Sequence, residues 1–554
     1  MKRNFSKIKT VFIGSAWPYA NSSLHLGHIA ALIGADVLKR FFSQKKIESL
    51  WVSGSDCYGT PIAIEAQLSK KKPSEIASYF HQEFKKTFKK LEFSFDFYSK
   101  TTSLTHHKIV KKIFLDLLEK KLIYQKKQKQ FFCPKCQRFL PDRFVEGTCP
   151  YCKNIARGDQ CDVCGALLEP SLLIEPYCRI CETKPVLKET IHFFFKLSAF
   201  QKQLISWIKK QKDWRKNAVD FSLGILKKGL KDRAISRDLE WGVKIPLKGF
   251  EGKVIYVWFE AVCGYLSASI EYSQKIGKPN FWKKFFLNEE SYHYYVFGKD
   301  NIPFHTIIWP SILLSQQLHL PDQIVSSEYL LLEGKKFSKS KKWMIEVLDF
   351  LKFFEPEFLR FYLVRINPED ADANFSFDDF FEKINKELIG NFGNYINRVL
   401  SFSFKNFKGE IFNFKKPTSK AQVEFLKELE KGFFEVEDFI FKSFFKEALQ
   451  KILEISQAGN RFLNQVEPWK KIKTSKEKVK DDLSLAIFSI DLLRRLIFPF
   501  LPKASFEISK LLGEKDLSLK FEKKKIKIVK KPKPLFKPIE RSQLLKAKQF
   551  FLEK

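Results

Sequence analysis

The chain has 554 residues, enough for several domains with large cores, and its 44% hydrophobic content is that of an ordinary globular protein. Lys and Arg number 98 against 63 Asp and Glu, a net charge of +35 that suits a polyanionic partner, although 59 Phe beside the abundant Lys also fits an A/T-rich coding sequence, so charge alone does not establish RNA binding. No apolar run reaches transmembrane length and the basic residues 1–9 lack the apolar core of a secretory signal; these features argue against a membrane-spanning helix and a secreted chain, and the expectation is a soluble, cytoplasmic protein.

Taken in order, Thr10 to Ile13 is a short β-branched and aromatic run of strand type, and Ile29 to Phe42 carries apolar residues at helical spacing. Between them lies Ala16-Trp17-Pro18-Tyr19-Ala20-Asn21-Ser22-Ser23-Leu24-His25-Leu26-Gly27-His28, a loop that feeds a helix starting near His25. A helix start gathers unpaired N–H groups and partial positive charge, which suits an anionic ligand. Gly27 lets a nucleotide approach the backbone, and His25 and His28, three apart, share a face and can donate to phosphate oxygens.

Helical patterns follow at Glu75 to Leu91 and Leu104 to Leu122. Eight of the 10 cysteines then form four Cys-x-x-Cys pairs, Cys133/Cys136, Cys149/Cys152, Cys161/Cys164 and Cys178/Cys181. Such pairs, separated by Pro and Gly turns, suit two tetrahedral zinc thiolate sites, whereas a disulfide framework would need an oxidising compartment. Spacing alone permits sequential pairing. Cys57 and Cys263 stand apart and read as buried small apolar residues. Beyond an aromatic-rich, then amphipathic stretch at His192 to Gln211, Val254 to Phe259 and Tyr292 to Phe297 read as strands. Their polar ends predict that Asp56, Trp258 and Asp300 converge at the carboxyl edge of an open sheet. Past Lys335-Lys336-Phe337-Ser338-Lys339-Ser340 the pattern is helical, with apolar faces over Phe425 to Phe444 and Leu483 to Ile497 that predict a bundle. Lys523 to Lys537 is basic and Pro-interrupted with no core-forming pattern, and Ser542 to Phe551 is a short helical stretch.

His-x-Gly-His after a strand, with a late Lys-x-Ser-Lys-Ser, resembles the class I aminoacyl-tRNA synthetases. Four further segments narrow the resemblance to the methionyl-tRNA synthetases: Gly54-Ser55-Asp56 with Gly59-Thr60, Ile235-Ser236-Arg237-Asp238, Tyr256-Val257-Trp258-Phe259-Glu260-Ala261 with Gly264-Tyr265, and Gly298-Lys299-Asp300-Asn301-Ile302-Pro303-Phe304-His305. The resemblance implies an α/β Rossmann-type catalytic domain (1–122 and, with the end of an insertion, 191–325). The zinc-binding connective insertion would be 123–190, the lysine-serine loop and stem-contact region 326–385, an α-helical anticodon-binding bundle 386–515 and a basic tail 516–554. It implies an ATP-dependent ligase that joins L-methionine to tRNA(Met), initiator included, through methionyl-adenylate, with Mg²⁺ on the ATP and two structural zinc ions. The insertion is too short for the editing domain of the isoleucyl, valyl and leucyl relatives.

Carried over by motif, His25, His28, Lys336 and Lys339 are the catalytic residues that offset phosphate charge, with Tyr19, Gly27, Asp300 and Ser338 completing the ATP site. Asp56 takes the substrate ammonium and Arg237 its carboxylate, while Ala16, Trp17, Tyr19, Trp258, Ala261, Tyr265, Asn301 and His305 line the side-chain slot, where Tyr or His can donate weakly to sulfur. The resemblance nests the cysteines, Cys149, Cys152, Cys161 and Cys164 on one zinc and Cys133, Cys136, Cys178 and Cys181 on an outer one. Asn394, Arg398 and Trp469 are implied at the anticodon. Departures are Tyr58 for His, Val262 for Pro and Phe337 for Met, which bear on pocket shape and loop behaviour and remove no charged group. Without the dimerising oligonucleotide-binding barrel found on many members, the expectation is a monomer.

Overall fold

The computed structural model describes residues 8–141, 144–158, 161, 163–164, 168, 170–338 and 343–553. Its centre is a five-stranded parallel sheet of Thr10–Ser15, Glu48–Ser55, Phe97–Lys100, Ser291–Gly298 and Gln323–Ser327, in the spatial order fifth, fourth, first, second, third. Every residue of the first strand is buried, as a parallel strand covered on both faces requires. That strand is also where the winding reverses, because the second strand lies on one side of it and the fourth on the other. Such a switch point leaves a crevice at the carboxyl ends of the strands.

The helix Leu26–Gln44 leaves this crevice and runs back along the sheet with 13 of its 19 residues buried. Its Asp36 is fully buried and accepts from Arg360 at 2.6 Å, Arg40 at 2.9 Å, and the Ser94 amide and hydroxyl at 2.8 and 2.6 Å. Burial alone would raise its pKa, but Arg360 and Arg40 hold the carboxyl below the usual range. Removing either side of this pair would strand a buried charge, so it locks the sheet domain to the helix Pro356–Arg365 that leads into the C-terminal half.

The insertion rises on a long antiparallel ribbon, Ile123–Cys133 against Val186–Phe195, in continuous register from Ile123 opposite Phe195 to Phe132 opposite Val186. The cysteine module sits at its tip. The helical half contains Asn394–Asn406, Lys420–Phe441, Phe445–Val466, Lys476–Ile497 and Pro502–Leu512, and it shares one apolar core with the helix Leu26–Gln44. No helix among the described residues is long and apolar enough to cross a membrane.

Two expectations fail. Val254 to Phe259 is a strand only over Val254–Ile255; Val257–Glu260 is a helical turn that buries Val257, Phe259 and Glu260 and turns Trp258 toward the crevice. Tertiary packing overrides the β preference of these residues. The basic stretch after Lys523 does have a core pattern: Lys525–Lys527 pairs with Ile411–Asn413, and Ile526 and Ile528 are buried while Lys525 and Lys527, alternating with them, face out. The last helix, Arg541–Leu552, buries Leu544, Ala547 and Phe551, with Phe551 against Phe353 and Phe377.

Candidate active site, cysteine clusters and anticodon face

The two signature motifs, more than 300 residues apart in sequence, meet at the crevice. Leu26 N–H donates to the Ile345 carbonyl (3.2 Å) and Val347 N–H to that of Leu24 (2.9 Å), so the segment leaving the lysine-serine loop pairs with the entry to the first helix. Phe337 lies flat against His25, ring centroids 4.9 Å apart and planes 16° from parallel. Ser338 and Trp343 exchange backbone hydrogen bonds at 2.9 Å; Lys339, between them, lies outside the described residues. Lys336 is exposed at the base of the loop, its Nζ 5.3 Å over the Tyr329 ring.

Within the His motif, the imidazoles of His25 and His28 sit 3.8 Å apart. Burial lowers the pKa of His28 to about 4; burial and then His28 push that of His25 well below its ordinary value. Both rings are therefore neutral near pH 7. The backbone N–H of His25 donates to His28 Nδ1 (3.1 Å), which leaves the proton of His28 on Nε2, free for an acceptor in the crevice. A Cβ on Gly27 would come within 3.1 Å of the His25 ring, so glycine here seats the imidazole as well as leaving room for a ligand.

Beside this motif lies a narrow slot of about 60 Å³ lined by Ala16, Trp17, Tyr19, Asp56, Trp258, Ala261, Val262, Tyr265, Asn301, Phe304 and His305. Eight of these carry the sequence expectation for the amino-acid side chain and one, Asp56, that for its ammonium; Val262 and Phe304 are additions. Asp56 directly follows the second strand, its backbone N–H bonded to the Pro18 carbonyl at 2.9 Å and its Oδ1 accepting from the Tyr58 N–H at 3.1 Å. Burial first, then the carboxyl of Glu260, raises its pKa well above the ordinary value. Trp258 Nε1 donates to the Tyr19 hydroxyl, and Trp258 meets Phe304 edge to face at 4.5 Å.

The donors expected to reach a sulfur are committed elsewhere. His305, its pKa lowered to about 4 by burial, gives its Nδ1 proton to the Asn301 carbonyl (2.9 Å), so its Nε2 accepts the Tyr265 O–H (2.7 Å). The slot thus presents aromatic faces and no spare hydrogen from either ring. Asp300, Arg237 and Lys336 do not line it. Asp300 accepts from the Tyr329 hydroxyl, one residue before Asn301. Arg237 lies on the hairpin Ser236–Arg237 with Val254–Ile255, its guanidinium 3.8 Å over Tyr256 and donating to the carbonyls of Ala234 and Ser236. The predicted convergence therefore holds for Asp56 and Trp258, while Asp300 stands just outside. Of the departures, Tyr58 donates or accepts at His107 Nε2 (2.6 Å), Val262 lines the slot and Phe337 stacks on His25.

Sequence reasoning missed the layer under the slot. His106 and Glu260 are both fully buried and bonded through His106 Nε2 and Glu260 Oε2 at 2.5 Å. The signal was present: an acidic residue inside Tyr256-Val257-Trp258-Phe259-Glu260 has apolar neighbours throughout and must find a buried partner. Gly54 and Gly264 were also quoted only as context. They flank the Trp17 indole, where a Cβ on either would come within 2.6 and 2.8 Å of the ring.

The eight cysteines form two clusters, Cys133, Cys136, Cys178 and Cys181, and Cys149, Cys152, Cys161 and Cys164, each with its sulfurs within 4.8 Å of one another. This is the nested arrangement. Separations of 3.3 Å (Cys136–Cys181), 3.4 Å (Cys133–Cys181), 3.5 Å (Cys152–Cys161) and 3.8 Å (Cys149–Cys164) are too long for a disulfide. They lie close to the roughly 3.8 Å edge of a tetrahedron with Zn–S bonds of about 2.3 Å. Both four-thiol sets fit a tetrahedral metal.

On the helical half, Arg398 donates to the amide oxygens of Asn460 and Asn464, both at 3.1 Å, and its guanidinium sits 5.4 Å from the Trp469 ring. Trp469 is 42% exposed and Asn394, one turn before Arg398, is exposed too, so these three form a surface patch rather than bundle core. Asn460 and Asn464, also missed, hold the guanidinium in place. Glu467, left-handed at φ 45°, breaks the chain between Phe445–Val466 and the short helix Pro468–Lys471 and so aims Trp469 outward.

A family model described as tRNA synthetases class I (M) matches residues 11–400, and one described as the anticodon binding domain of methionyl tRNA ligase matches residues 416–541. The methionine–tRNA ligase of Streptococcus pneumoniae (strain CGSP14) is 44% identical over 512 residues, 91% of this chain and 92% of that protein. The methionine–tRNA ligase of Bacillus cereus (strain B4264) is 42% identical over 510 residues, again 91% and 92%. The structure of Mycobacterium tuberculosis methionyl-tRNA synthetase in complex with methionyl-adenylate aligns with a TM-score of 0.78 at 22% identity, over 96% of this chain and 100% of that one, a likeness of fold. With both halves matched in order and near full-length identity above 40%, the chain belongs to the methionyl-tRNA synthetases, a family of class I aminoacyl-tRNA ligases.

Proposed function

We propose that this chain activates L-methionine with ATP and Mg²⁺ to methionyl-adenylate, releasing pyrophosphate, and then esterifies tRNA(Met), initiator and elongator. The observation that carries the reading is the meeting of His25, Gly27 and His28 with the lysine-serine loop beside one aromatic slot that ends in Asp56. The chemistry asked of the residues is mainly positioning and charge stabilisation. His28 Nε2–H, with His25, donates to the triphosphate, and Lys336 and Lys339 bring positive charge to the departing pyrophosphate. Tyr19, Asp300 and Ser338 complete the nucleotide site. Asp56 holds the substrate ammonium and Arg237, once it turns from Tyr256, the carboxylate. At the far end, an unstacked anticodon base lies on Trp469 while Asn394 and Arg398 bond base edges. The two thiolate clusters hold zinc, which would lock the ribbon tip and supply no chemistry to the reaction. The chain acts in the cytoplasm and as a monomer, the second reading supported by the way the last helix covers Phe353 and Phe377 with its own Phe551.

Amino-acid-dependent ATP–pyrophosphate exchange, run with each of the twenty amino acids, tests the assignment. Methionine alone should support exchange; equal exchange with leucine or isoleucine would overturn it.

A further inference from the structure

Within Ile235-Ser236-Arg237-Asp238, the residues on either side of Arg237 share one partner. His192, fully buried near the base of the ribbon that carries the cysteine module, places Nδ1 2.8 Å from Ser236 Oγ and Nε2 3.0 Å from Asp238 Oδ2. Gln130 Oε1, on the other strand of the ribbon, also faces Nε2, at 3.1 Å. Two acceptors at Nε2 put the proton there, so Nδ1 accepts the Ser236 O–H, while Ser236 Oγ itself accepts the Phe193 N–H at 3.0 Å. Asp238 is also paired with Lys253 and accepts from Thr190 Oγ1 at 3.2 Å, so releasing it would strand a charge that is largely buried. Trp241 ties the same segment to the slot, its Nε1 donating to the carbonyl of Cys57, the neighbour of Asp56, at 2.7 Å.

We propose that His192 is a positioning residue for recognition of the substrate carboxylate: it clamps the backbone on both sides of Arg237, so that only the guanidinium has to move between Tyr256 and the ligand. This role rests on Arg237 being the carboxylate ligand, as the functional reading has it. Arg237 lies in extended backbone, paired with Val254, and in such a segment successive side chains take opposite faces. A clamp on Ser236 and Asp238 therefore holds one face and leaves the other to Arg237. One imidazole spans the pair because its two nitrogens face opposite ways. The guanidinium, which now lies 3.8 Å over Tyr256 and donates to the carbonyls of Ala234 and Ser236, can then swing without a shift of its own Cα. A planar fork meets a carboxylate with both N–H groups only when its base is fixed in this way. Together with the Trp241 link, the clamp sets the Arg237 segment relative to Asp56, as a ligand with a fixed spacing between ammonium and carboxylate requires.

Calorimetric binding of L-methionine and of L-methioninol, which keeps the ammonium and the thioether but has no carboxylate, tests the role, with thermal melting as a check on folding. Arg237→Met should lower the preference for methionine over methioninol by roughly 10- to 100-fold and leave methioninol binding near its original strength. His192→Ala should lower the same preference by about 10-fold, again with little effect on methioninol. His192→Gln, which keeps a donor toward Asp238, should recover part of it. A folded His192→Ala that weakens both ligands by the same factor, or weakens neither, would overturn the proposal and make His192 a packing residue of the ribbon. Should His192→Ala fail to fold, Ser236→Ala and Asp238→Asn each release one side of the clamp, and an unchanged preference in both would overturn it. Arg237→Met separates the two levels: an unchanged preference there overturns the carboxylate assignment itself, whereas a collapse there with His192→Ala unchanged removes only the role of His192.

Discussion

The aromatic slot and the Trp469 patch are built on opposite electrostatics. Around the slot, burial lowers the pKa of His28 and His305 to about 4 and raises those of the Asp56 and Glu260 carboxyls above their ordinary values. At the Trp469 patch the Arg398 guanidinium sits beside an exposed indole, held by the neutral amides of Asn460 and Asn464. Selection among small zwitterions of similar size needs an enclosed site in which an unpaired group is costly. Recognition of an unstacked base on a large polyanion needs an accessible platform and lasting positive charge. All nine histidines lie at or before His319, and none is in the helical half.

Acidification should therefore break the symmetry most strongly. The unfolded state takes up protons near the ordinary histidine pKa of 6.5, before His305 (about 4) and His106 (about 3) can, so stability is fully present above about 6.5 and falls as the pH drops toward 4. For His305 alone the shift amounts to roughly 3 kcal/mol. Hydrogen exchange across this range should show the sheet domain opening before the bundle; a uniform loss, or bundle residues opening first, would contradict it. Next in size, His28→Ala should lower kcat for pyrophosphate exchange by about 10²–10³-fold, the usual cost of losing one charge-stabilising donor. Aminoacylation should fall with it; unchanged exchange would remove His28 from the phosphate site. Trp469→Ala should lower kcat/KM for tRNA charging by roughly 5- to 150-fold, equivalent to about 1–3 kcal/mol of stacking, and leave exchange intact. Equal damage to both reactions would return Trp469 to a structural role. The smallest effect on catalysis as a whole is expected from chelation. Removing metal from the cysteine clusters should release two zinc ions per chain and disorder the ribbon tip, while the slot keeps its activity; metal content of zero under reducing conditions would refute the zinc reading.

The parts legible in the sequence are those whose chemistry is local. A strand, a loop and a helix start are written in consecutive residues, so the His25–His28 motif could be placed on them directly. The cysteine pairs announce themselves by spacing, although their nesting came from resemblance rather than from spacing. What stayed hidden depends on residues distant in sequence. Glu260 finds its partner 154 positions away in His106, and the tautomers of His305 and His28 follow from backbone groups that only the folded chain supplies. The strand reading of Val254 to Phe259 failed because those β-formers are drawn into a helical turn by the core around them. The strand at Lys525–Lys527 was overlooked because lysines dominated its composition, while the alternation that matters rests on Ile526 and Ile528.

The pairing of Leu24–Leu26 with Ile345–Val347 has a consequence for how the protein is made. At ribosomal rates of about 5–20 residues per second, the helix start that carries His25 and His28 waits roughly 15–60 s before its partner segment has been synthesised. Contacts of such sequence separation also slow folding, because a long loop must close before they reward it. Through that interval the junction of the two motifs is only half assembled, and an emerging chain holds the histidines without the loop that carries the lysines. Nascent chains truncated before Ile345 should thus be unable to form adenylate, however well their sheet has folded, so that activity arrives late in translation and in a single step.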